Sequence, residues 1–337
     1  MLRVAIVANT QQPPYGNNLK PPVRAFAALT QASLWVPAHY PGFVPTGGAA
    51  PAPLPAPLVE AMGRLRPQVV VCVGGGLFVP PAVRGLLPPE TILVGIALSD
   101  PQGLPASLTV APAFDLFYTQ DPGSLSHYLE RGVSARYLAL AADARTFFPS
   151  PAVKRSDVLF VGKWTPYRHQ LVEALAKVTS VRVLAYRGEG RWPLPPADQV
   201  DEEAPLRQEI NAARLVLDPT RVELADAEDD THRITPRAFM AAACGVPAVV
   251  ERRCPLSGLF VPEEEILTFD GTPAGLVAAV HEVLGDEARL VRLGAAARRR
   301  VLAAHTWDHR VRQVLADVAK TCARDGGAAG DERRAGG

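Results

Sequence analysis

Short, continuously apolar runs that alternate with helical patterns constrain this chain more than any other feature. The runs "LRVAIVA" (2–8), "QVVVCV" (68–73), "TILVGIA" (91–97), "DLFYT" (115–119) and "RYLAL" (136–140) are short, and most are apolar throughout. They predict strands of a parallel sheet covered on both faces. Helical spacing separates them in "PPVRAFAALTQ", "APLVEAMGRLR" and "GSLSHYLERG". A Pro- and charge-bearing passage, "FFPSPAVKRSD" (147–157), then interrupts the pattern, and the alternation restarts. Its second series of strands is "DVLFVG" (157–162), "VRVLAY" (181–186), "LVLD" (215–218), "AVV" (248–250) and "EILTF" (265–269), with "YRHQLVEALAKV" and "PLRQEINAA" as helices between. Three helical patterns follow: "TPAGLVAAVHEVLG", "DEARLVRLGAAARRRVLAA" and "HTWDHRVRQVLADVAK".

Two such series predict an α/β protein of two Rossmann-like, doubly wound domains facing a cleft. The expected boundaries are 1–146 for the first domain, 147–156 for a linker and 157–304 for the second domain. A further helix is expected over 305–322, and a tail over 323–337, with "RDGGAAGDERRAGG", has a composition that predicts disorder. A length of 337 residues suits two domains rather than one core. The low-complexity stretch "PTGGAAPAPLPAP" (45–57) reads as a surface loop.

Charge and cysteine usage narrow the function. A net charge of +1 gives no global field toward nucleic acid or an anionic membrane, so any anion site must be local. The four cysteines contain no CxxC pair, which speaks against zinc or redox motifs and for a reduced, cytoplasmic setting. "MLRVAIVANT" reads as an early strand rather than a signal peptide, and no apolar run reaches the ~18 residues of a membrane span.

The carboxyl ends of the second series carry the candidate chemistry. In "VGKWTPYR", Gly162 allows close backbone approach to a ligand, and Lys163 and Arg168 bring positive charge to a strand end. This suits a diphosphate; the other reading is an ordinary strand-to-helix loop with solvated cations. Trp164, Tyr167 and Trp192 are candidates to stack on a base or sugar, or to anchor loops. In "THRITPRAFMAAACGVPAVV" (231–250), Thr235 is an N-cap and Pro236 a first-turn residue without an amide hydrogen. The amides beyond them, with the helix dipole and Arg237, form an anion site or simply a well-capped helix. Gly245 and Pro247 end it.

"VELADAEDDTH" is acidic, which leaves open a metal or acid–base role beside a solvated loop, and His232 precedes the capped helix. "GGG" (74–76) lacks GxGxxG spacing and reads as a turn. Asp100, in "IALSDP", is expected to face the cleft as a general base or hydroxyl ligand; capping a turn before Pro101 is the alternative.

Together, "DVLFVGKWTPYRHQLVEAL", "ITPRAFMAAACGVPAVV", "LFVPEEEILTF" and "HTWDHR" resemble, in order and spacing, the two-domain GT-B glycosyltransferases of group 1, and within them the CgeB-like (spore-maturation-type) branch. The resemblance covers 155–312, and "AFDLFYTQDPGSLSHYLERGVSARYLALAADARTFFP" extends it to 110–150. It implies a nucleotide-diphosphate-sugar donor against the second domain, an unidentified acceptor against the first, and a last helix crossing back to the first domain. It also implies metal-independent transfer with no cofactor, the nucleotide sugar being a substrate. On this resemblance Gly162, Lys163, Arg168 and Arg237 match donor-site positions, Gly245 matches the helix that follows, and the expected donor site is completed by Thr235, His232 and Met240.

One departure stands out. Group 1 enzymes commonly carry a glutamate, seven residues and a second glutamate across this helix, the second holding the donor ribose; here those positions are His232 and Met240. A thioether is a poor acceptor, and a lost hydroxyl contact costs about 1–3 kcal/mol. Three readings follow: neighbouring acids substitute, the donor is held differently, or the chain is a non-catalytic GT-B module that binds a nucleotide or sugar or serves as a scaffold.

Overall fold

The computed structural model describes residues 2–8, 16–35, 56–74, 84–185, 198–199, 202–219, 234–252 and 256–332. Twelve strands among them form two six-stranded sheets in which every pairing is parallel. The first sheet contains β1 (Arg3–Val7), β2 (Gln31–Trp35), β3 (Val69–Val73), β4 (Ile92–Ala97), β5 (Leu116–Thr119) and β6 (Ala135–Tyr137), in the order β2-β1-β3-β4-β5-β6. The second contains β7 (Ser156–Val161), β8 (Val181–Ala185), β9 (Asp198–Gln199), β10 (Ala213–Asp218), β11 (Ala248–Glu251) and β12 (Leu267–Phe269), in the order β12-β11-β10-β7-β8-β9. The chain therefore reverses direction across the second sheet between β7 and β10. Ligands of open α/β sheets bind outside the carboxyl ends of strands at such a switch point.

The continuous apolar runs are buried as their composition predicts: β3, β4 and β5 have no exposed position. The two-residue strand β9 and two further elements escape sequence reading. β2, "QASLW", begins polar directly after a helix, and "LPASLTV" (Leu104–Val110) is a short helix carrying a β-branched end.

The helices are α1 (Gly16–Leu29), α2 (Ala56–Leu65), α3 (Leu104–Val110), α4 (Leu125–Leu129), α5 (Pro166–Ala176), α6 (Glu203–Asn211), α7 (Pro236–Cys244), α8 (Pro273–Leu284), α9 (Glu287–Ala304) and α10 (Trp307–Glu332). Local rules explain α7 at both ends. Thr235 is extended (φ −82°, ψ 166°) and its hydroxyl accepts the Arg237 amide, while Gly245 adopts the left-handed conformation (φ 73°) that a Cβ disfavours. The residues Ala238 to Cys244 are all buried. Their small side chains admit α9, where a Cβ on Gly294 would meet the Gly245 carbonyl at 2.1 Å.

One buried apolar cluster runs through both sheets and the segment between them, including Val71, Leu140, Phe147, Phe239 and Trp307. Polar ties reinforce the seam. Arg24 on α1 donates to Asp143 (2.7 Å) and makes a bidentate pair with Glu203 on α6 (2.9 and 2.7 Å). Ala142 forms a parallel bridge with Thr306, exchanging backbone hydrogen bonds with His305 (3.0 Å) and Trp307 (3.0 Å). Arg310 is buried and donates to the carbonyls of Ala139 (2.8 Å) and Leu140 (3.2 Å). The helix α10 packs on α1, and its Asp317 accepts from Tyr118 (3.0 Å) and pairs with Arg136 (2.6 Å). It continues to Glu332, through residues whose composition predicts no ordered element.

Candidate functional site

The carboxyl ends of β7 and β10 converge on the start of α7. The chain leaves β7 through Gly162 (φ 152°), a backbone conformation that L side chains rarely adopt. A Cβ there would lie 2.7 Å from Nη1 of Arg237, so the missing side chain makes room for a guanidinium. Lys163 follows, exposed. Thr165 then caps α5, accepting the Arg168 amide at 3.2 Å.

Arg168 is buried, with Nη1 donating to the Lys163 carbonyl (3.2 Å) and its guanidinium 6.0 Å from the Phe160 ring centroid. The Arg237 guanidinium lies 5.4 Å from the same centroid. Two cationic side chains thus share one aromatic ring at the end of β7, each within cation–π range. Tyr167 is buried and donates to the Gly271 carbonyl (3.0 Å); Trp164 packs 6.4 Å from the His169 ring. Tyr167 thereby ties this helix start to Gly271, while Trp164 is half-buried.

Arg237 is turned inward. Its Nε donates to Asp218 Oδ1 (2.8 Å) and Thr235 Oγ1 (3.0 Å), Nη1 to the Val161 carbonyl (2.7 Å) and Nη2 to the Pro219 carbonyl (3.3 Å). Thr235 also donates to Asp218 Oδ1 (2.6 Å). Asp218, the last residue of "LVLD", is fully buried and was not singled out by sequence reasoning. A charged residue ending an otherwise apolar strand, just before the loop to a capped helix, was the available signal.

Asp100 does not project into the cleft. It is fully buried, and its Oδ2 accepts from Thr119 Oγ1 (2.7 Å) and Tyr128 OH (2.7 Å), while its carbonyl accepts from Gln120 Nε2 (2.6 Å). Burial first, then the Asp100 charge, push the Tyr128 phenol well above its ordinary value, which keeps it a donor. These partners inside the first domain draw the carboxylate inward.

Met240 lies one turn after Pro236 and lines a cavity of about 90 Å³ between the domains, with Pro21, Leu98, Phe147 and Trp307 among the other walls. The one ionisable residue there, Asp143, is held by Arg24, the Arg145 amide (3.1 Å) and Thr146 Oγ1 (3.0 Å). His232, Trp192, the acidic stretch 222–232 and Gly75 and Gly76 of "GGG" lie outside the described residues. Among the described residues no group of three or more His, Cys, Asp or Glu could hold a metal ion, and no helix is long and apolar enough to cross a membrane.

Residues 168–316 match the model of a family described as glycosyl transferase-like. No curated protein sequence matches the chain. Among solved structures, sucrose-phosphate synthase from Thermosynechococcus elongatus is similar over 96% of this chain and 100% of its own, with 16% identity and a TM-score of 0.66. HepE from Anabaena, in complex with UDP and glucose, is similar over 95% of this chain and 100% of its own, with 13% identity and a TM-score of 0.63. AviGT4, a glycosyltransferase of avilamycin A biosynthesis, is similar over 96% and 98%, with 15% identity and a TM-score of 0.59. At these identities the likeness is one of fold: two parallel-sheet α/β domains of the GT-B glycosyltransferase type.

Proposed function

We propose that this protein is a glycosyltransferase that moves a sugar from a nucleotide-diphosphate donor to an acceptor bound against the first domain. The observation that carries the reading is the convergence of the Gly162–Arg168 loop and the N-terminus of α7 at the β7/β10 switch point, within a chain whose residues 168–316 match a glycosyl transferase-like family. The leaving group of such a reaction is a nucleoside diphosphate whose negative charge grows in the transition state. Lys163, Arg168 and the positive end of the α7 dipole supply fixed positive charge there, a role that other sites give to a metal. The order of the motifs, which resembles the CgeB-like branch, supports assigning the chain to that branch, and the cysteine usage supports a cytoplasmic setting.

The fold likeness to HepE, solved with UDP and glucose, supports a nucleotide-sugar donor. Calorimetry against a panel of nucleoside diphosphates tests the site; binding of one or more in the micromolar range is expected, and binding of none overturns it. Met240 favours a second reading, a GT-B module that binds a nucleotide or sugar without turnover, because a thioether stands on this wall of the interdomain cavity and Asp143, the carboxylate among its described lining residues, is already held by Arg24. Mass spectrometry of reactions with nucleotide sugars and a wide acceptor panel separates the two: a glycosylated product excludes the second reading.

A further inference from the structure

We propose that Arg237 and Asp218 form a positioning pair: the guanidinium does not meet the donor diphosphate but fixes the strand ends and helix start that do. This rests on the donor-site reading above.

Four different protein acceptors already use Arg237. They come from β7 (the Val161 carbonyl), from β10 and the residue after it (Asp218 and the Pro219 carbonyl), and from the cap of α7 (Thr235). One planar fork therefore spans the switch point and joins all three elements around it, a task that suits the fixed geometry of arginine and not the single point of lysine. The side chain is 12% exposed and that of Asp218 0%, so little of either is offered to a ligand. A diphosphate taking the Nε edge of Arg237 would displace a buried carboxylate 2.8 Å away, leaving that charge unpaired, which is strongly unfavourable.

Asp218 engages the pair through one oxygen. Its Oδ1 takes donors from both Arg237 and Thr235, while its Oδ2 is buried and meets no donor among the described residues. Breaking a buried pair by removing one partner costs far more than a surface ion pair contributes. The pair is also neutral as a unit. Lys163, exposed on the loop that the pair immobilises, is then a cation that faces solvent at this end of the sheet, and Arg168 in the first turn of α5 ties that loop through the Lys163 carbonyl. Gly162 completes the arrangement, since its bare Cα is what lets Nη1 reach the Val161 carbonyl.

The experiment uses UDP as probe and the full chain, with binding read by calorimetry and local order by amide hydrogen exchange over 162–166 and 234–240. Asp218→Asn removes the charge that competes for Arg237. If the guanidinium met the diphosphate directly, this change would leave UDP affinity unchanged or raise it. A positioning pair instead loses at least tenfold, Arg237→Lys loses nearly as much as Arg237→Ala despite keeping the charge, and Arg237→Ala with Asp218→Asn binds no more weakly than Arg237→Ala alone.

Where Asp218→Asn fails to fold, Thr235→Ser (hydroxyl kept) and Thr235→Val (hydroxyl lost) make the same comparison, with retention in the first and loss in the second. Wild-type UDP affinity in a folded variant that has lost thermal stability would reduce the pair to a structural role and overturn the proposal. A wild type that binds no UDP counts against UDP as the donor nucleotide. Hydrogen exchange then still decides the pair: faster exchange in both segments of Asp218→Asn and Arg237→Lys supports it, and unchanged exchange overturns it.

Discussion

Arg237 Nε stands 2.8 Å from Asp218 Oδ1, and this contact joins the first turn of α7 to the last residue of β10 across 19 positions of sequence. The same guanidinium reaches the end of β7 at the Val161 carbonyl, 76 positions away. The strand ends at the switch point of the second sheet are thereby held as one unit, and both loops that carry candidate donor contacts leave from it. What this geometry does can be measured by altering each neighbour in turn.

Gly162→Ala should disturb that unit without changing any charge. The new Cβ would meet Arg237 Nη1 at 2.7 Å in a backbone conformation that disfavours a side chain. Chemical denaturation should show a loss of about 1–3 kcal/mol, the usual scale of backbone strain at such a position. Stability equal to wild type would mean that Arg237 moves aside freely.

Lys163→Ala should behave in the opposite way. The side chain is exposed, so stability should change by less than about 0.5 kcal/mol. Nucleoside diphosphate affinity, by contrast, should fall about tenfold, a contribution of the size expected for a charge-assisted contact. The wild-type advantage should shrink when ionic strength is raised, because an exposed charge is screened. Equal affinities at low salt would remove Lys163 from the site.

Met240→Glu puts a carboxyl into a largely apolar interdomain cavity of about 90 Å³. Desolvation raises a carboxyl's folded-state pKa above its unfolded value, so the deficit is largest at neutral pH and shrinks as pH falls toward the unfolded value. A loss of about 1–3 kcal/mol at pH 7 is expected, on the scale for an unpaired buried polar group. Thermal melts from pH 7 to 4.5 check the sign. If this wall faces the donor ribose, added nucleotide should raise the variant's melting temperature more than that of wild type.

His305 gives the fold a pH dependence of its own. Burial, and then the positive charge of Arg310, lower its pKa from 6.5 to about 4, and Arg310 Nη2 lies 2.9 Å from Nδ1. The folded-state value lies below the unfolded one, so the folded state binds this proton less readily. The contribution is complete above about pH 6.5 and is lost as pH falls from there toward 4. His305→Asn should flatten stability across that window; an unchanged slope would assign the acid sensitivity to other groups.

Much of the fold was legible because its signals are local. The continuous apolar runs marked ten of the twelve strands, and the ends of α7 followed from Thr235, Pro236 and Gly245, each satisfying a rule that spans a single turn. β2 was missed because "QASLW" lacks an apolar run, and β9 because it pairs through only two residues. The inward turn of Asp100 was not legible either, since Thr119 and Tyr128, which draw it in, lie on a later strand and helix.

The sequence by itself determined where strands and helices form and that charge gathers at the ends of the second series, because periodicity, caps and composition act within a few residues. Only the tertiary structure decided where that charge points. Arg237 reads in the sequence as a cation at a helix start, available to an anion. In the fold its orientation is chosen by the acceptors within reach, a carbonyl on β7, a buried carboxylate on β10 and a capping hydroxyl, which chain folding brings together from distant positions. Met240 likewise reads as a missing acceptor, and the packing of two domains made it the wall of a largely apolar seam.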